Sequence, residues 1–445
     1  MFENRDDFAG RTVLVCGVRV AGASAARALV RLGARVLLTD RDSDIPSAQL
    51  PKSAVFIGDV QAVPDDVDVV VTSPGIRPDH PLIAGAMAAG IPVFGELEFA
   101  WRIRGPQSAP WLMVTGTNGK TTTTRMLESI LLAAGRRALA VGNVGVPIID
   151  AVMTEPAYEV LAVEASSFQL FYSSSITPLA GVILNLAEDH LDWHGSFAAY
   201  AAEKAKVWAG EYAVGNFDDP VVLAMLDDAP APRHITFSVH ETGTLPLPIS
   251  RIRPPGPHNV ANALAAAAMA RTIGVTEEQV AAGLADFVPD PHRNQLVATI
   301  GGVQYVDDSK ATNPHAAAAS LNAYPSIVWI AGGQLKGTSI DGLVAEYAHR
   351  LRGAVLLGTD RAEIAAALSR HAPDLPVIEV PSQDDGAMTE VVKAAASLAV
   401  AGDAVLLAPA AASLDMFASY GARGDAFSTA VRSLLSAPDI GPERS

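Results

Sequence analysis

Cysteine is almost absent: Cys16 is the one thiol in 445 residues. No intrachain disulfide can form, which excludes a disulfide-stapled secreted fold and suits a reducing compartment. Cys16 lies in an apolar run, Val13-Leu-Val-Cys16, and reads as a small buried hydrophobe rather than a nucleophile. Long apolar runs are missing as well. The most apolar stretch, Pro81 to Gly95, is broken by proline and glycine and is too short to span a bilayer. The segment Met1-Phe-Glu-Asn-Arg-Asp-Asp7 is charged and has no signal-peptide core. Positive charge is scarce: 32 Lys and Arg stand against 48 Asp and Glu, a net charge of -16. That argues against nucleic acid or anionic membrane as a partner. It also draws attention to isolated Lys and Arg residues in glycine-rich turns. No solenoid-type repeat or low-complexity tract occurs. A cytoplasmic, monomeric protein without a membrane span is expected.

What is present centres on Val114-Thr-Gly-Thr-Asn-Gly-Lys-Thr-Thr122. The apolar run Trp111-Leu-Met-Val114 precedes it, and Met126, Leu127, Ile130 and Leu131 follow at helical spacing. Strand, glycine-rich turn, Lys-Thr and helix form the layout of a phosphate-binding loop, here shortened at its first glycine. Gly116 and Gly119 let the backbone aim its N–H groups at phosphate oxygens, with Thr117 and Asn118 between them. The next helix turns its positive end to the same anion. Lys120 supplies charge for the outer phosphates, Thr121 a hydroxyl for magnesium, and Thr122 completes the string. The premise is ATP or GTP binding.

At about 150 residues per domain, the length implies three domains. They are expected at 1–104, 105–289 and 290–445. The first opens with a β-α-β unit: strand Val13–Cys16, a turn from Gly17 to Gly22, a helix from Ala23 to Leu32, and strand Arg35–Thr39 ending at Asp40, where a dinucleotide fold holds a ribose. Arg19 replaces the second glycine of the dinucleotide fingerprint, so a nucleotide-diphosphate pocket of altered shape is expected rather than an NAD site. Strand Val67–Val71 runs into Thr72-Ser-Pro-Gly75, a ligand edge that also reads as a plain turn. Arg104-Gly-Pro-Gln-Ser-Ala-Pro110 reads as a linker.

In the second domain, strand Val160–Val163 ends at Glu164, and strand Gly181–Leu184 leads to Asn185 and Glu188-Asp-His-Leu-Asp-Trp-His194. Open α/β sheets keep their sites at strand carboxyl ends. Glu164 and His190 are therefore candidate magnesium residues; the two His, two Asp and one Glu of Glu188–His194 also suggest zinc, but ATP chemistry favours an oxygen-rich magnesium site. The helix Phe197–Trp208 carries Lys204 and Lys206, one functional and one solvated, and spacing does not say which. Pro246–Pro257 reads as loop or extended strand, followed by an alanine-rich helix to Ile273. Asn259 is placed to cap that helix; Asn262 and His258, one turn apart, are placed to face a nucleotide. In the third domain, strands Val303–Val306, Ile327–Ile330, Ala354–Leu357, Val377–Val380 and Ala404–Leu407 alternate with helices, implying a doubly wound, mainly parallel sheet. Its loops put Lys310, Thr312, Lys336 and Ser413 on one edge, suited to an anionic amino acid.

Together, Gly-Thr-Asn-Gly-Lys-Thr-Thr, Glu164-Ala-Ser-Ser, His258-Asn-x-x-Asn262 and Asp308-Ser-Lys-Ala-Thr-Asn313 resemble the Mur ligases of peptidoglycan synthesis, in order and over essentially the whole chain. Gly-Gly-x-x-Lys-Gly and Ser-Leu-Asp-x-Phe of the third domain are similar to the members that add D-glutamate. The resemblance implies a Rossmann-like N-terminal domain, a P-loop ATPase domain and a doubly wound C-terminal domain. It implies joining D-glutamate to UDP-N-acetylmuramoyl-L-alanine through an acyl phosphate, with ATP and two magnesium ions. Val20, Ala21, Asp40, Arg41, Ser73, Pro74 and Gly75 would hold the UDP moiety, and Asn143 and Ser166 the muramoyl part. Thr121, Glu164 and His190 would hold magnesium, with Lys204 carbamylated by carbon dioxide. Lys120, His190 and Lys204 would be the catalytic set. Asn259, Asn262, Arg293 and Asp308 would contact ATP; Lys310, Thr312, Lys336, Ser413, Leu414 and Tyr420 would receive D-glutamate. Three departures stand out: Val18-Arg-Val-Ala21 in the first turn, Asn294-Gln295 after Arg293, and Tyr420 in place of Phe. The alternatives are a ligase for L-alanine or L-glutamate, and a dinucleotide-dependent oxidoreductase or nucleotide-binding regulator.

Overall fold

The computed structural model describes residues 4–42, 50–105, 107–382 and 386–436. Met1–Glu3 of the charged N-terminal segment and Pro106 of the expected linker lie outside the described residues. Three sheets follow one another along the chain. The first holds β1 (Thr12–Cys16), β2 (Arg35–Thr39), β3 (Val55–Phe56), β4 (Val69–Thr72) and β5 (Val93–Phe94) in the order 3-2-1-4-5, all parallel. The second holds β6 (Trp111–Thr115), β7 (Ala138–Gly142), β8 (Val160–Glu164), β9 (Ala180–Ile183), β10 (Tyr212–Asn216) and β11 (Arg233–Phe237) in the order 11-10-9-6-8-7, again all parallel. The third holds β12 (Gln295–Ile300), β13 (Val303–Asp307), β14 (Ile327–Gly332), β15 (Leu351–Leu357), β16 (Val377–Glu379) and β17 (Ala404–Leu407) in the order 12-13-17-14-15-16.

Strands covered on both faces read as unbroken apolar runs. Every residue of β1, β4, β6, β8, β14 and β17 is buried accordingly. Successive side chains point to opposite faces of a strand. In β14, Ile327 and Trp329 join one apolar cluster, and Val328 and Ile330 join the other. The edge strand β12 pairs antiparallel with β13 and was not foreseen. Its turn, Gly301-Gly302, has φ of +58° and +80°, which suits a tight two-residue hairpin.

The described residues of Met1–Arg251 and Ala261–Phe287 form one compact unit; those of Ile252–Val260 and Val288–Ser445 form another. The first two sheets share a unit because they share a core: Val13, Val15 and Leu29 lie in one apolar cluster with Met113, Val163 and Trp208. Polar ties add to it. Arg5 donates to the Ile103 and Val152 carbonyls. The Gly95 N–H donates to the Tyr172 carbonyl at 3.2 Å, and the Tyr172 hydroxyl to the Ile76 carbonyl at 2.8 Å.

Helix Phe197–Ala205 ends in a tight turn at Lys206–Trp208, close to the expected helix. The stretch before Pro257 is loop with one short turn, Ile249–Arg251. The following helix, Pro257–Arg271, begins two residues ahead of Asn259, which therefore lies inside the first turn and is not its N-cap. Among the described residues no helix is long and apolar enough to cross a membrane.

Candidate active site

β6 stands where the order of the second sheet reverses, between β9 and β8, and the glycine-rich loop leaves its carboxyl end. Such switch points are where open α/β sheets bind ligands. Gly116 has φ +152° and Gly119 φ +82°. The left-handed φ at Gly119 favours glycine, and a Cβ there would stand 2.3 Å from Asn262 Oδ1 and force that side chain to shift. The next loop braces it. Thr117 N donates to the Asn185 carbonyl at 2.9 Å, and Asn118 N to Asn185 Oδ1 at 2.8 Å. Thr117 Oγ1 lies 3.0 Å from the Tyr200 hydroxyl. Helix Lys120–Ala133 begins at once, with Thr121 and Thr122 half-buried in its first turn. Lys120 Nζ folds back onto the Gly116 and Thr117 carbonyls at 2.9 and 2.8 Å.

Glu164 ends β8, the strand beside β6, and is 1% exposed. Its Oε1 accepts from Asn143 Nδ2 at 2.8 Å, while Oε2 is buried with no hydrogen-bond partner among the described residues. A buried acceptor left in this way is costly, and a divalent cation beside the loop satisfies it; the site fits magnesium on this ground. Among the described residues no three His, Cys, Asp or Glu side chains converge as a metal-binding group, so the Glu188–His194 stretch does not form the zinc cluster considered above. A magnesium ion that shares phosphate oxygens needs no such cluster. His190 holds φ +53° ahead of helix Leu191–His194, with its ring 4.6 Å from Phe168 and its Nε2 3.5 Å from Asp189 Oδ2.

Lys204 is 1% exposed and donates to Gly116 O at 2.8 Å and Thr115 Oγ1 at 3.3 Å, with the Tyr200 ring 4.7 Å away. Burial and the neighbouring Lys120 hold its amine well below the ordinary lysine range, against the pull of Asp189 and Glu164. Lys206 remains partly exposed but is held by the chain. It donates to the Leu170 and Ser173 carbonyls at 2.9 and 3.0 Å and pairs with Glu203 at 2.6 Å, fastening the end of helix Ser167–Phe171. The structure thus separates two lysines that spacing alone left equivalent. Ser166 is the N-cap of that same short helix, in a reciprocal capping box with Gln169.

At the carboxyl end of the first sheet lies a cavity of about 600 Å³, lined in part by Arg19, Asp40, Arg41, Ser73, Gly75 and Arg77. Val20 and Ala21 open the adjoining helix, Val20–Arg31, and Pro74 lies between two lining residues. The Asp40 carboxylate is engaged by the chain itself, accepting from Val18 N at 2.7 Å and Asp42 N at 3.0 Å. Ser73 Oγ donates to the Gly17 carbonyl at 3.0 Å. A Cβ on Gly22 would fall 1.8 Å from that carbonyl, so the glycine at the third position of the fingerprint serves close helix–strand packing.

In the other unit, β13, β17 and β14 are neighbours and parallel, and the loops at their carboxyl ends carry Lys310 and Thr312, Ser413 and Leu414, and Lys336 respectively. These loops bond to one another: Ala410 N donates to Ala311 O at 2.9 Å, and Gln334 N to Ala412 O at 2.9 Å. The expected common edge is present. Lys310 Nζ lies 4.2 Å above the Tyr420 ring, Lys336 is exposed at φ +55°, and Leu414 is 65% exposed. Asp308 accepts from Asn294 N at 3.1 Å and from the Ser320 hydroxyl. Burial pushes its carboxyl up to about 6, against these bonds and Arg293. Asn259 Nδ2 donates to the Pro255 carbonyl at 3.2 Å.

Three structural supports escaped the sequence reading. Asn185 carried a weak signal, a polar residue at a strand end. Tyr200 carried none within its helix. Arg423 is 1% exposed and donates to Ser309 O, Gly332 O and Ala411 O, joining all three third-sheet loops; a buried arginine inside a helix is invisible from spacing.

The fold and the loop define a class, the α/β proteins that bind a nucleoside triphosphate at a glycine-rich turn. Comparison with known proteins narrows it. Three family models match in order: "Mur ligase MurD-like, N-terminal domain" at residues 11–95, "Mur ligase middle domain" at 114–246 and "Mur ligase, glutamate ligase domain" at 292–411. The chain belongs to the Mur ligase family. It is 52% identical to the UDP-N-acetylmuramoylalanine--D-glutamate ligase of Thermobifida fusca, over 96% of this chain and 99% of that one. It is 49% identical to the protein of the same name from Streptomyces avermitilis, over 96% and 98%. Among solved structures, the UDP-N-acetylmuramate-alanine ligase MurC of Thermotoga maritima matches 95% of this chain and 99% of its own at 17% identity, TM-score 0.60. MurF of Acinetobacter baumannii matches 96% and 91% at 19% identity, TM-score 0.59. Those two show the fold. The oxidoreductase alternative is set aside by the family.

Proposed function

We propose that the chain joins D-glutamate to UDP-N-acetylmuramoyl-L-alanine at the expense of ATP, a cytoplasmic step of peptidoglycan precursor synthesis, and that it acts as a monomer. The observation that carries this reading is 52% identity along nearly the whole length to a ligase of that name. A glycine turn and an unpartnered Glu164 oxygen at one switch point agree with it. The proposed domains are 1–104 for the UDP substrate, 105–289 for ATP and 290–445 for the amino acid.

A carboxylate is a poor electrophile with a poor leaving group. Transfer of the γ-phosphoryl group to the L-alanyl carboxylate gives an acyl phosphate and ADP. The D-glutamate amine, having lost a proton, attacks the acyl carbon; the C–N bond forms, the C–O bond breaks and phosphate leaves. Every participant is anionic, so the chain's task is positioning and charge neutralisation. Lys120 swings from its loop carbonyls to the phosphates. Thr121, Glu164, His190 and a carbamylated Lys204 would hold two magnesium ions, which neutralise the transferring phosphoryl group when bound. The depressed Lys204 amine supports carbamylation, since the neutral amine is the form that attacks carbon dioxide. Asn262 faces the glycine turn; Asn259, Arg293 and Asp308 are assigned to ATP by family resemblance. The first-sheet cavity takes the UDP moiety, Asn143 and Ser166 the muramoyl part, and the cationic edge of the third sheet D-glutamate.

The test is ATP-dependent phosphate release with UDP-N-acetylmuramoyl-L-alanine and a panel of amino acids, with mass spectrometry of the product. Release with D-glutamate, and a product heavier by one glutamyl residue, is expected. Turnover with another amino acid instead would refute the third-sheet assignment and keep the ligase chemistry.

A further inference from the structure

The first turn of helix Glu96–Ile103 buries a carboxyl group that the chemistry above does not use. Glu96 is 6% exposed. It accepts from Gln169 Nε2 at 3.4 Å; the backbone at Ile148 favours its charged form, and the carboxylate of Asp150 opposes it. Burial pushes it up to about 7. An acid in such a place costs stability, and an apolar side chain of equal size would cost less. What the acid does is visible one residue further on. Gln169 Oε1 accepts from both Ser166 N and Ser166 Oγ at 3.0 Å, and Gln169 N donates to Ser166 Oγ at 3.2 Å. A glutamine amide has one accepting end and one donating end. Turned over, it would set its NH2 group against the Ser166 N–H. Glu96 Oε2, at the far end, accepts from the donating end of the amide and so favours this way round. The proton of the Ser166 hydroxyl is then committed to Gln169, and its free lone pair remains for a ligand.

We propose that Glu96 is a positioning residue for the nucleotide-sugar substrate, acting through Gln169 to fix the orientation of the Ser166 hydroxyl beyond the carboxyl end of β8. This rests on the muramoyl placement at Ser166 proposed above. Supporting residues of this kind, one bond removed from a ligand contact, are worth roughly tenfold or more in affinity in metal sites, and the same logic of a locked rotamer applies here.

The experiment is steady-state kinetics on the full chain with Glu96→Gln, Glu96→Asp and Ser166→Ala, reading KM for each substrate separately. Glutamine keeps the length and an acceptor for Gln169 but loses the charge. Aspartate keeps the charge but withdraws the acceptor by about one bond length. Expected are a nucleotide-substrate KM within about twofold of wild type for Glu96→Gln and raised about tenfold for Glu96→Asp, with KM for ATP and D-glutamate unchanged in both. Wild-type behaviour of Glu96→Asp, or a Glu96→Gln variant as poor as Glu96→Asp, overturns the proposal when Ser166→Ala itself raises the nucleotide-substrate KM. An unchanged nucleotide-substrate KM in Ser166→Ala also overturns it, by removing the subsite reading on which it rests.

Discussion

Two lysine amines meet at one carbonyl: Lys120 and Lys204 both donate to Gly116 O. Burial first, and then repulsion between the two ammonium groups, makes Lys204 hold its proton less tightly than an ordinary lysine. Lys204→Ala is expected to lower kcat about a thousandfold, with partial recovery on adding short carboxylic acids that stand in for a carbamate. Full activity without such acids would remove Lys204 from the metal site. At the third sheet, Lys336→Ala is expected to raise KM for D-glutamate about tenfold with little change for ATP; an unchanged amino-acid KM would sink that assignment. Asp308 offers a pH test. Its carboxyl is pushed up to about 6 by burial, above the unfolded value of about 3.9. The folded state therefore holds the proton more tightly than the unfolded chain. This group favours folding below about pH 4, and the benefit is lost as pH rises through about 6. Asp308→Asn is expected to stabilise the fold at about pH 7.5 by up to roughly 3 kcal/mol, with the gain vanishing below about pH 4. Denaturant titrations at the two pH values check this, and an equal shift at both would clear the carboxylate of blame.

At the scale of the element, the glycine turn between β6 and helix Lys120–Ala133 has two independent reasons to refuse a side chain at Gly119: its left-handed φ of +82° and the Asn262 Oδ1 atom 2.3 Å from a Cβ. Gly119→Ala is expected to cost about 1–3 kcal/mol of stability and to abolish measurable ATP binding; a normal ATP titration would show that the turn is not the phosphate cradle. That turn was legible because strand, glycines and helix all announce themselves locally. The buried parallel strands were legible for the same reason, as short apolar runs. β12 was not, since its burial alternates weakly and Leu296 is 55% exposed; only Gly301-Gly302 marked the hairpin. Spacing could not separate Lys204 from Lys206, because both lie on one helix and the difference comes from what packs against it. Asn259 was misplaced as a cap because Pro257, a favoured first helical residue, opens the helix earlier.

For the whole molecule, two separately cored units predict two separable unfolding events, and the tryptophans can tell them apart. Trp101, Trp111, Trp193 and Trp208 lie in the unit built on the first two sheets, and Trp329 in the other. Trp329 is fully buried and donates to the Ala408 carbonyl at 2.8 Å. Trp329→Phe therefore silences the fluorescence of the second unit and destabilises it by about 1–3 kcal/mol through the orphaned carbonyl. The fluorescence transition left in this variant reports the unit carrying the glycine turn. A ligand that binds the native state alone stabilises it by about 2.7 kcal/mol at a hundred times its Kd. Magnesium and ATP together are expected to move that remaining transition to higher denaturant, and removing magnesium with a chelator to return most of the shift. Lys120→Ala in the same background should show no shift. A shift that survives Lys120→Ala would mean that the nucleotide is held elsewhere, and the loop that organises this chain would lose its role.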